Sequence, residues 1–316
     1  MRLTKWIPFA ALLSLLLVLS GCGASNAKWK EQVISALEKQ KEINSYSFAG
    51  EARIKWGEPE DSGQSSPVSQ SLAQLVTNGK WSWSGIASVN PLRLESELEL
   101  ASADSSAVMT LPLILNENHI YVNIPLINPK DEYFSLDLDA LSEMSGGTGK
   151  LSPERLHNVM NIASQLSTRL FAALDEKWFA KADQPNANGH TVIEVNITED
   201  NSQAMTEALK EQWPLIIDDL KENGLLAEEQ AAVWKQAAGE IKLGLGKLSV
   251  AVDNDGFIRE LTIHTELGMG QEDPVRLIHV RQAYDRINEA PVFTKEIPEK
   301  TRPLTEVLKL MMNSSK

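Results

Sequence analysis

Chemistry needs particular side chains at particular spacings, and this chain of 316 residues offers few such sets. Its five histidines, His119, His157, His190, His264 and His279, are scattered, and none belongs to a metal-binding His-Glu-x-x-His helix. His264 and His279 fall on neighbouring predicted strands, where surface histidines are the ordinary reading. Asp253-Asn254-Asp255-Gly256 resembles part of a calcium loop. Setting Gly256 at the loop glycine, however, puts Ala251 and Thr262 where the first and last carboxylate ligands belong. The tetrapeptide therefore reads as a hairpin turn whose glycine supplies positive φ. No Gly-x-Ser-x-Gly elbow exists. The Gly-Lys pairs at Lys80, Lys150 and Lys247 lack the Ser or Thr of a phosphate loop, and Gly244-Leu245-Gly246 lacks the third glycine of a dinucleotide fingerprint. Arg93, Glu95, Glu97 and Glu99 alternate along one segment and read as its solvent face. The expectation is a chain without metal, cofactor or catalytic residues, and so not an enzyme.

One residue does carry a defined chemistry. Cys22 is the only cysteine in the chain. It follows a basic start, Arg2 and Lys5, and an apolar run from Trp6 to Leu19 that is shorter than the ~20 residues of a membrane span. Leu19-Ser20-Gly21-Cys22 matches the bacterial lipobox, in which small residues admit a peptidase to the bond before the cysteine. Such a cysteine carries a diacylglyceryl thioether on its sulfur and becomes the new N-terminus. Residues 1–21 thus read as a lipoprotein signal peptide and 22–27 as a tether, with residues 28–316 as one domain. Two acyl chains, palmitate-like, hold a protein on a membrane far better than one. With its sole thiol lipidated, the chain has no disulfide, and its stability must come from a core.

Charge narrows the partners. Without residues 1–21 the chain keeps 28 Lys+Arg against 43 Asp+Glu, a formal charge of −15. That balance argues against nucleic acid and against lying flat on anionic lipid. The expected location is the extracytoplasmic face of the cell membrane, within the cell envelope and held by lipid.

The elements that surround these residues follow from periodicity. Lys28 to Glu42 has helical spacing. From Tyr46 the period changes to two: Tyr46, Phe48, Ala52, Ile54 and Trp56 alternate with polar residues. So do Trp81, Trp83, Ala87 and Val89, and then Leu92, Leu94, Leu98 and Leu100. Alternation predicts strands with one wet and one dry face, as in an antiparallel sheet covered on one side. Further strands are predicted over 107–115, 119–125, 133–138, 191–198, 241–252, 257–267 and 275–286. Glu58 to Gln74 reads as a long loop, and Gly146-Gly147-Thr148-Gly149 as a hinge. Residues 153–238 read as a largely helical insert, in which Pro214 should kink or restart a helix. Thr301 to Met312 is predicted to close the chain as a short helix.

Trp81-Ser82-Trp83 places two indoles on the dry face. Two readings stand: core under the helices, or the lining of a cavity for an apolar ligand. An N-terminal helix precedes INSYSFAGEARIKW, and VDNDGFIRELTIH is followed by YDRINEAPVFTKEIPE near the C-terminus. This layout resembles the LolA/LppX-type lipoprotein-carrier superfamily, including Gram-positive lipoproteins built on it. The resemblance implies an α+β fold in which a large curved antiparallel sheet, an incomplete barrel, carries helices on its concave apolar face. It implies a lipid or acylated ligand held between sheet and helices. The ligand-lining candidates are Tyr46, Phe48, Ile54, Trp56, Trp81, Trp83, Leu92, Leu94 and Leu98. The alternative is a non-catalytic envelope interaction or sensory protein with a solid core and a protein or cell-wall partner.

Overall fold

The computed structural model describes residues 21–54, 79–101, 108–125, 127–129, 131–138, 164–223, 226–269 and 276–305. Helix α1, Gly21–Lys39, is followed by a 3-10 turn, Gln40–Glu42. The first run of strands is β1 (Ser45–Ile54), β2 (Lys80–Ser88), β3 (Arg93–Ala101), β4 (Val108–Asn116), β5 (His119–Val122) and β6 (Tyr133–Asp137). Helix α2, residues 164–173, and a 3-10 turn at Glu176–Trp178 lead to β7 (Phe179–Lys181) and β8 (Thr191–Ile197). Helices α3 (Ser202–Glu222) and α4 (Glu228–Glu240) precede β9 (Ile241–Val252), β10 (Ile258–Met269), β11 (Arg276–Asp285) and β12 (Thr301–Pro303).

All twelve strands form one sheet, ordered β12-β6-β5-β4-β3-β2-β1-β11-β10-β9-β8-β7. Two meanders, β1 to β6 and β7 to β11, meet where β1 pairs with β11, antiparallel from Ser47↔Asp285 to Ile54↔Ile278. Among the described residues the sheet does not close on itself, and only β12 and β6 run parallel. The chain is therefore an α+β incomplete barrel, as the alternation and the resemblance predict.

Register keeps the dry side in phase across the sheet. Residues directly opposite one another share a face. Phe48↔Gly85, Trp83↔Leu98, Leu98↔Leu111 and Leu113↔Val122 extend that face one way from β1. Val280↔Ile263, Leu261↔Val250 and Val195↔Phe179 extend it the other way. One irregularity sits between Gly246↔Thr265 and Leu243↔Leu267, where β9 carries two residues, Gly244 and Leu245, against Glu266 alone. The bulge reverses parity, so Leu243 turns inward with Leu248.

The helices lie on the dry face. Trp29, Val33, Ala36 and Leu37 form one stripe of α1 and pack with Phe179, Ile193, Val195, Val250 and Val252. Met205 brings α3 into the same cluster. Lys30 Nζ donates to the carbonyls of Ala172 at 2.7 Å and Leu174 at 2.6 Å, which places a cation at the C-terminal end of α2. Thr206 Oγ1 accepts from Leu243 N at 3.0 Å and ties α3 to the bulged part of β9.

Several sequence expectations change. Residues 22–27, expected as a tether, lie in α1, where Ala24 and Ala27 favour helix and no proline interrupts. Pro214 stays inside a continuous α3. Within the 153–238 block Thr191–Ile197 is the predicted strand, and the short Phe179–Lys181, which was not predicted, pairs beside it. Residues 301–303 form β12, and the remainder of the expected terminal helix beyond 305 lies outside the described residues, as do Glu58 to Gln74 and the Gly146 to Gly149 hinge.

The outer face is not uniformly wet. After β11 the chain runs back across it as a strap, residues 286–300, before joining β6. Asn288 N donates to Ser45 O and Ser45 Oγ donates to Glu289 O. Glu95, expected in solvent, is only 4 % exposed. Its carboxylate accepts from Thr294 N at 2.8 Å, Lys295 N at 3.1 Å and Arg93 Nη2 at 2.9 Å. Ile114, opposite Glu95 on β4, is buried there too. Glu97 and Glu99 keep the exposure predicted for them.

Charge-assisted hydrogen bonds to a buried carboxylate contribute about 1.5–3 kcal/mol each. Glu95→Gln is expected to lower stability by about that amount and to speed amide exchange across the strap. Amides in α1 should be unaffected. Unchanged exchange at Thr294 and Lys295, measured by mass spectrometry, would show that the carboxylate does not hold the strap.

Candidate ligand-binding face

The predicted lining residues start from a reciprocal arrangement on β1 and β2. Gly50 is opposite Trp83, and Phe48 is opposite Gly85. Each ring lies over the glycine it faces. A β-carbon at Gly50 would overlap the Trp83 indole, and one at Gly85 would overlap the Glu95 carbonyl and stand 2.7 Å from Phe48 Cζ. Only glycine leaves the rings this room. Trp83 crosses β1 to reach β11, where its Nε1 donates to Gln282 Oε1 at 2.7 Å. The indole donor is thus satisfied within the sheet, and what this part of the floor presents upward is carbon.

Tyr46 adds to this floor, its ring 5.8 Å from Phe48 and 5.7 Å from Tyr284. Burial pushes the Tyr46 phenol above its ordinary range. Burial, with Tyr46 as its neighbour, pushes Tyr284 up to about 12. Phenols held neutral in this way are part of an apolar surface and take no part in proton transfer near neutrality.

The structure brings Tyr46, Phe48, Trp81, Trp83, Leu94 and Leu98 onto one face, as parity predicts. Ile54 ends β1 opposite Ile278. Leu92 is not on a strand: it lies in the β2–β3 turn, after a cis Asn90–Pro91 peptide, and its carbonyl accepts from Glu117 N. Trp56, Leu19 and Ser20 are outside the described residues, while Gly21 and Cys22 open α1.

The dry face has two regimes. Under α1, Phe179, Ile193, Val195 and Val250 are essentially closed to solvent. Over β1 to β4 the side chains of Tyr46, Phe48, Trp81, Trp83, Leu94 and Leu98 are half-buried, while Leu100 at the rim end is buried. The sequence gives no sign of that division, because both halves alternate equally well.

Two further features lie away from the dry face. Asp253–Gly256 forms the expected turn: Gly256 has φ +85°, Asp253 Oδ1 accepts from Asp255 N and Phe257 N, and its other oxygen pairs with Arg259. His264 and His279 do face each other, with centroids 5.7 Å apart and His279 Nε2 3.7 Å from Glu51. Among the described residues no group of three or more His, Cys, Asp or Glu is arranged around a metal position. A cleft of about 670 Å3, which sequence reasoning missed, opens on the outer face beside Ser47, Asn186, His190, Arg281 and Asp285. Its contributions come from a β7–β8 connection distant in sequence from β1 and β11, so no local pattern marks it.

No family model and no curated relative matches the chain. Among solved structures, it is similar to the lipoprotein LppX of Mycobacterium tuberculosis, at 13% identity, covering 85% of this chain and 99% of that one with a TM-score of 0.38. It is also similar to LprF of Mycobacterium bovis, at 8% identity, covering 86% and 97% with a TM-score of 0.39. Among the described residues no helix is long and apolar enough to cross a membrane.

Gly50→Ala should cost about 1–3 kcal/mol, because Trp83 must leave either its rotamer or Gln282. A urea midpoint equal to that of the unaltered chain would contradict the stacked geometry. Tyr284 gives a pH test. Its folded-state pKa lies above the ordinary value of 10, so between 10 and about 12 the native chain keeps a proton that the unfolded chain releases. The stability contributed by the buried phenol is complete below that window and declines within it as pH rises, by at most about 1.4 kcal/mol per pH unit. Tyr284→Phe should flatten this slope in alkaline unfolding curves, and an unaltered slope would refute the assignment.

Proposed function

We propose that this chain is a lipid-anchored, extracytoplasmic binding protein that holds a hydrophobic ligand, a lipid or an acyl chain, against the dry face of β1 to β4. The observation that carries the reading is the half-buried strip of Tyr46, Phe48, Trp81, Leu94 and Leu98. It is continuous with a sealed core yet not itself sealed. Each methylene buried there would contribute about 0.8 kcal/mol. The anchor is a diacylglyceryl group on Cys22, supported by the lipobox and by the place of that cysteine at the start of α1.

A second reading keeps the anchor and replaces the ligand by a protein or cell-wall partner. The outer polar cleft favours it, since Asn, His, Arg and Asp side chains there suit hydroxyl-rich or charged groups.

The deciding experiment uses full-length protein solubilised from membranes with mild detergent. Native mass spectrometry should detect a bound lipid beyond the covalent one, and a pyrene-labelled fatty acid should compete with it. Leu98→Glu, which places a charge on the strip, should reduce probe binding at least about tenfold. Absence of both the lipid and probe binding would remove the hydrophobic-ligand reading.

A further inference from the structure

The two ends of the strands differ in character. One end carries the Asp253–Gly256 turn, the start of β1 and the outer cleft. The other, the rim, carries the end of β8, the start of β9 and the first residues of β4 and β11. Helix α1 runs between them. Gln40 Nε2 donates to Ile258 O at the turn end, while Asn26 Nδ2 reaches Lys177 O, two residues before Phe179, the rim-side end of β7, which is opposite Val195 of β8. Gly21 and Cys22 lie more than a turn beyond Asn26. The N-terminus of α1 therefore points to the rim.

Large apolar side chains stand in solvent at that rim. Val108, the first residue of β4, is 61% exposed, Leu245 in the β9 bulge 45%, and Leu277 at the start of β11 41%. Leu245 and Leu277 flank Glu266, which accepts from Leu245 N and is opposite Leu277. Exposing Leu245 is a direct result of the bulge, which turns Leu243 inward and leaves its neighbour outside. Helix α4 ends by entering β9 at the rim, and its outward Val233 and Trp234 lie within about two turns of that junction. Charge at the rim is mixed: Lys80 is paired with Glu51, and the acidic Glu199 and Asp200 after β8 share this end with Arg53, Lys242 and Arg276.

We propose that this rim is a membrane-docking surface: Val108, Leu245 and Leu277, with Val233 and Trp234 on the helix that enters β9, rest in the interface of the bilayer that holds Cys22. The strands then stand on end, with the Asp253–Gly256 turn and the outer cleft farthest from the lipid. The inference rests on the lipid-anchor reading, because the anchor is what brings this rim and not the other to the surface. Contact is apolar, so it depends little on lipid charge. An end-on stance also suits a strongly acidic chain, which exposes little of its surface to anionic headgroups this way.

The test uses the full-length lipidated protein in liposomes of phosphatidylcholine, with and without phosphatidylglycerol. Single cysteines are introduced as Val108→Cys, Leu245→Cys, Leu277→Cys and, at the turn end on the strap, Val292→Cys. All four positions are well exposed, which keeps the fold unperturbed. Each new thiol is labelled with an environment-sensitive maleimide dye, and nitroxide-bearing lipids act as quenchers. Quenching should be about twofold or more stronger at the three rim positions than at 292, as burial of ~5–10 Å in the interface requires. Equal quenching at all four would overturn the docking surface while leaving the anchor intact. Labelling of the protein without an introduced cysteine would show an unmodified Cys22, and would remove the anchor and this proposal with it.

Discussion

The ladder between β1 and β11 joins the two ends of the chain's sheet-forming sequence, and the rest of the structure depends on its register. Each meander alone would be an ordinary antiparallel sheet with one apolar side. Pairing Phe48 with Tyr284 and Ile54 with Ile278 sets those two sides in phase, so that they make a single surface. A slip of one residue would turn one half of that surface to water. The same ladder lets Trp83 reach across β1 to Gln282, which ties the register to a specific hydrogen bond. A buried donor without its acceptor is costly, so this contact resists slippage more than apolar packing does.

Much of the architecture was legible in the sequence, because a period of two survives wherever one face is dry. β1, β2, β3, β8 and β9 sit close to their predicted bounds, and α3 and α4 lie within the block predicted as largely helical. What escaped was held by non-local pairing. β7 and β12 are three residues each, too short for any period, and exist because a longer neighbour offers an edge. Leu92 continues the alternation in sequence yet falls in a turn, since Pro91 and the approach of Glu117 end the strand at Arg93. Glu95 looked like a solvated carboxylate for the same reason: its partners, Thr294 and Lys295, come from some two hundred residues away. The candidate face was legible as a set of residues sharing a side, but its division into sealed and half-open parts was not. Alternation reports which way a side chain points and nothing about what lies above it.

The strap and the helices divide the labour of covering the sheet. Helices cover the β7–β9 half of the dry side by apolar stripes, while the strap covers the opposite side over β1 to β4 largely by polar and charged contacts. Arg93 joins these, hydrogen-bonded to Glu95 and Lys295 O and stacked 4.5 Å over Phe293. The candidate strip thus has its reverse side stiffened by a network that does not touch its apolar surface. A ligand above it would meet a floor whose shape is set from below.

The three-residue outermost strands have a consequence for life in a crowd. A twelve-stranded open sheet has two borders, and bare borders invite strands of other molecules. Among the described residues one border ends on Phe179–Lys181 and the other on Thr301–Pro303, whose proline has no amide hydrogen to give. Outermost strands this short give another copy little backbone to pair with, which lowers the tendency of such borders to zip together.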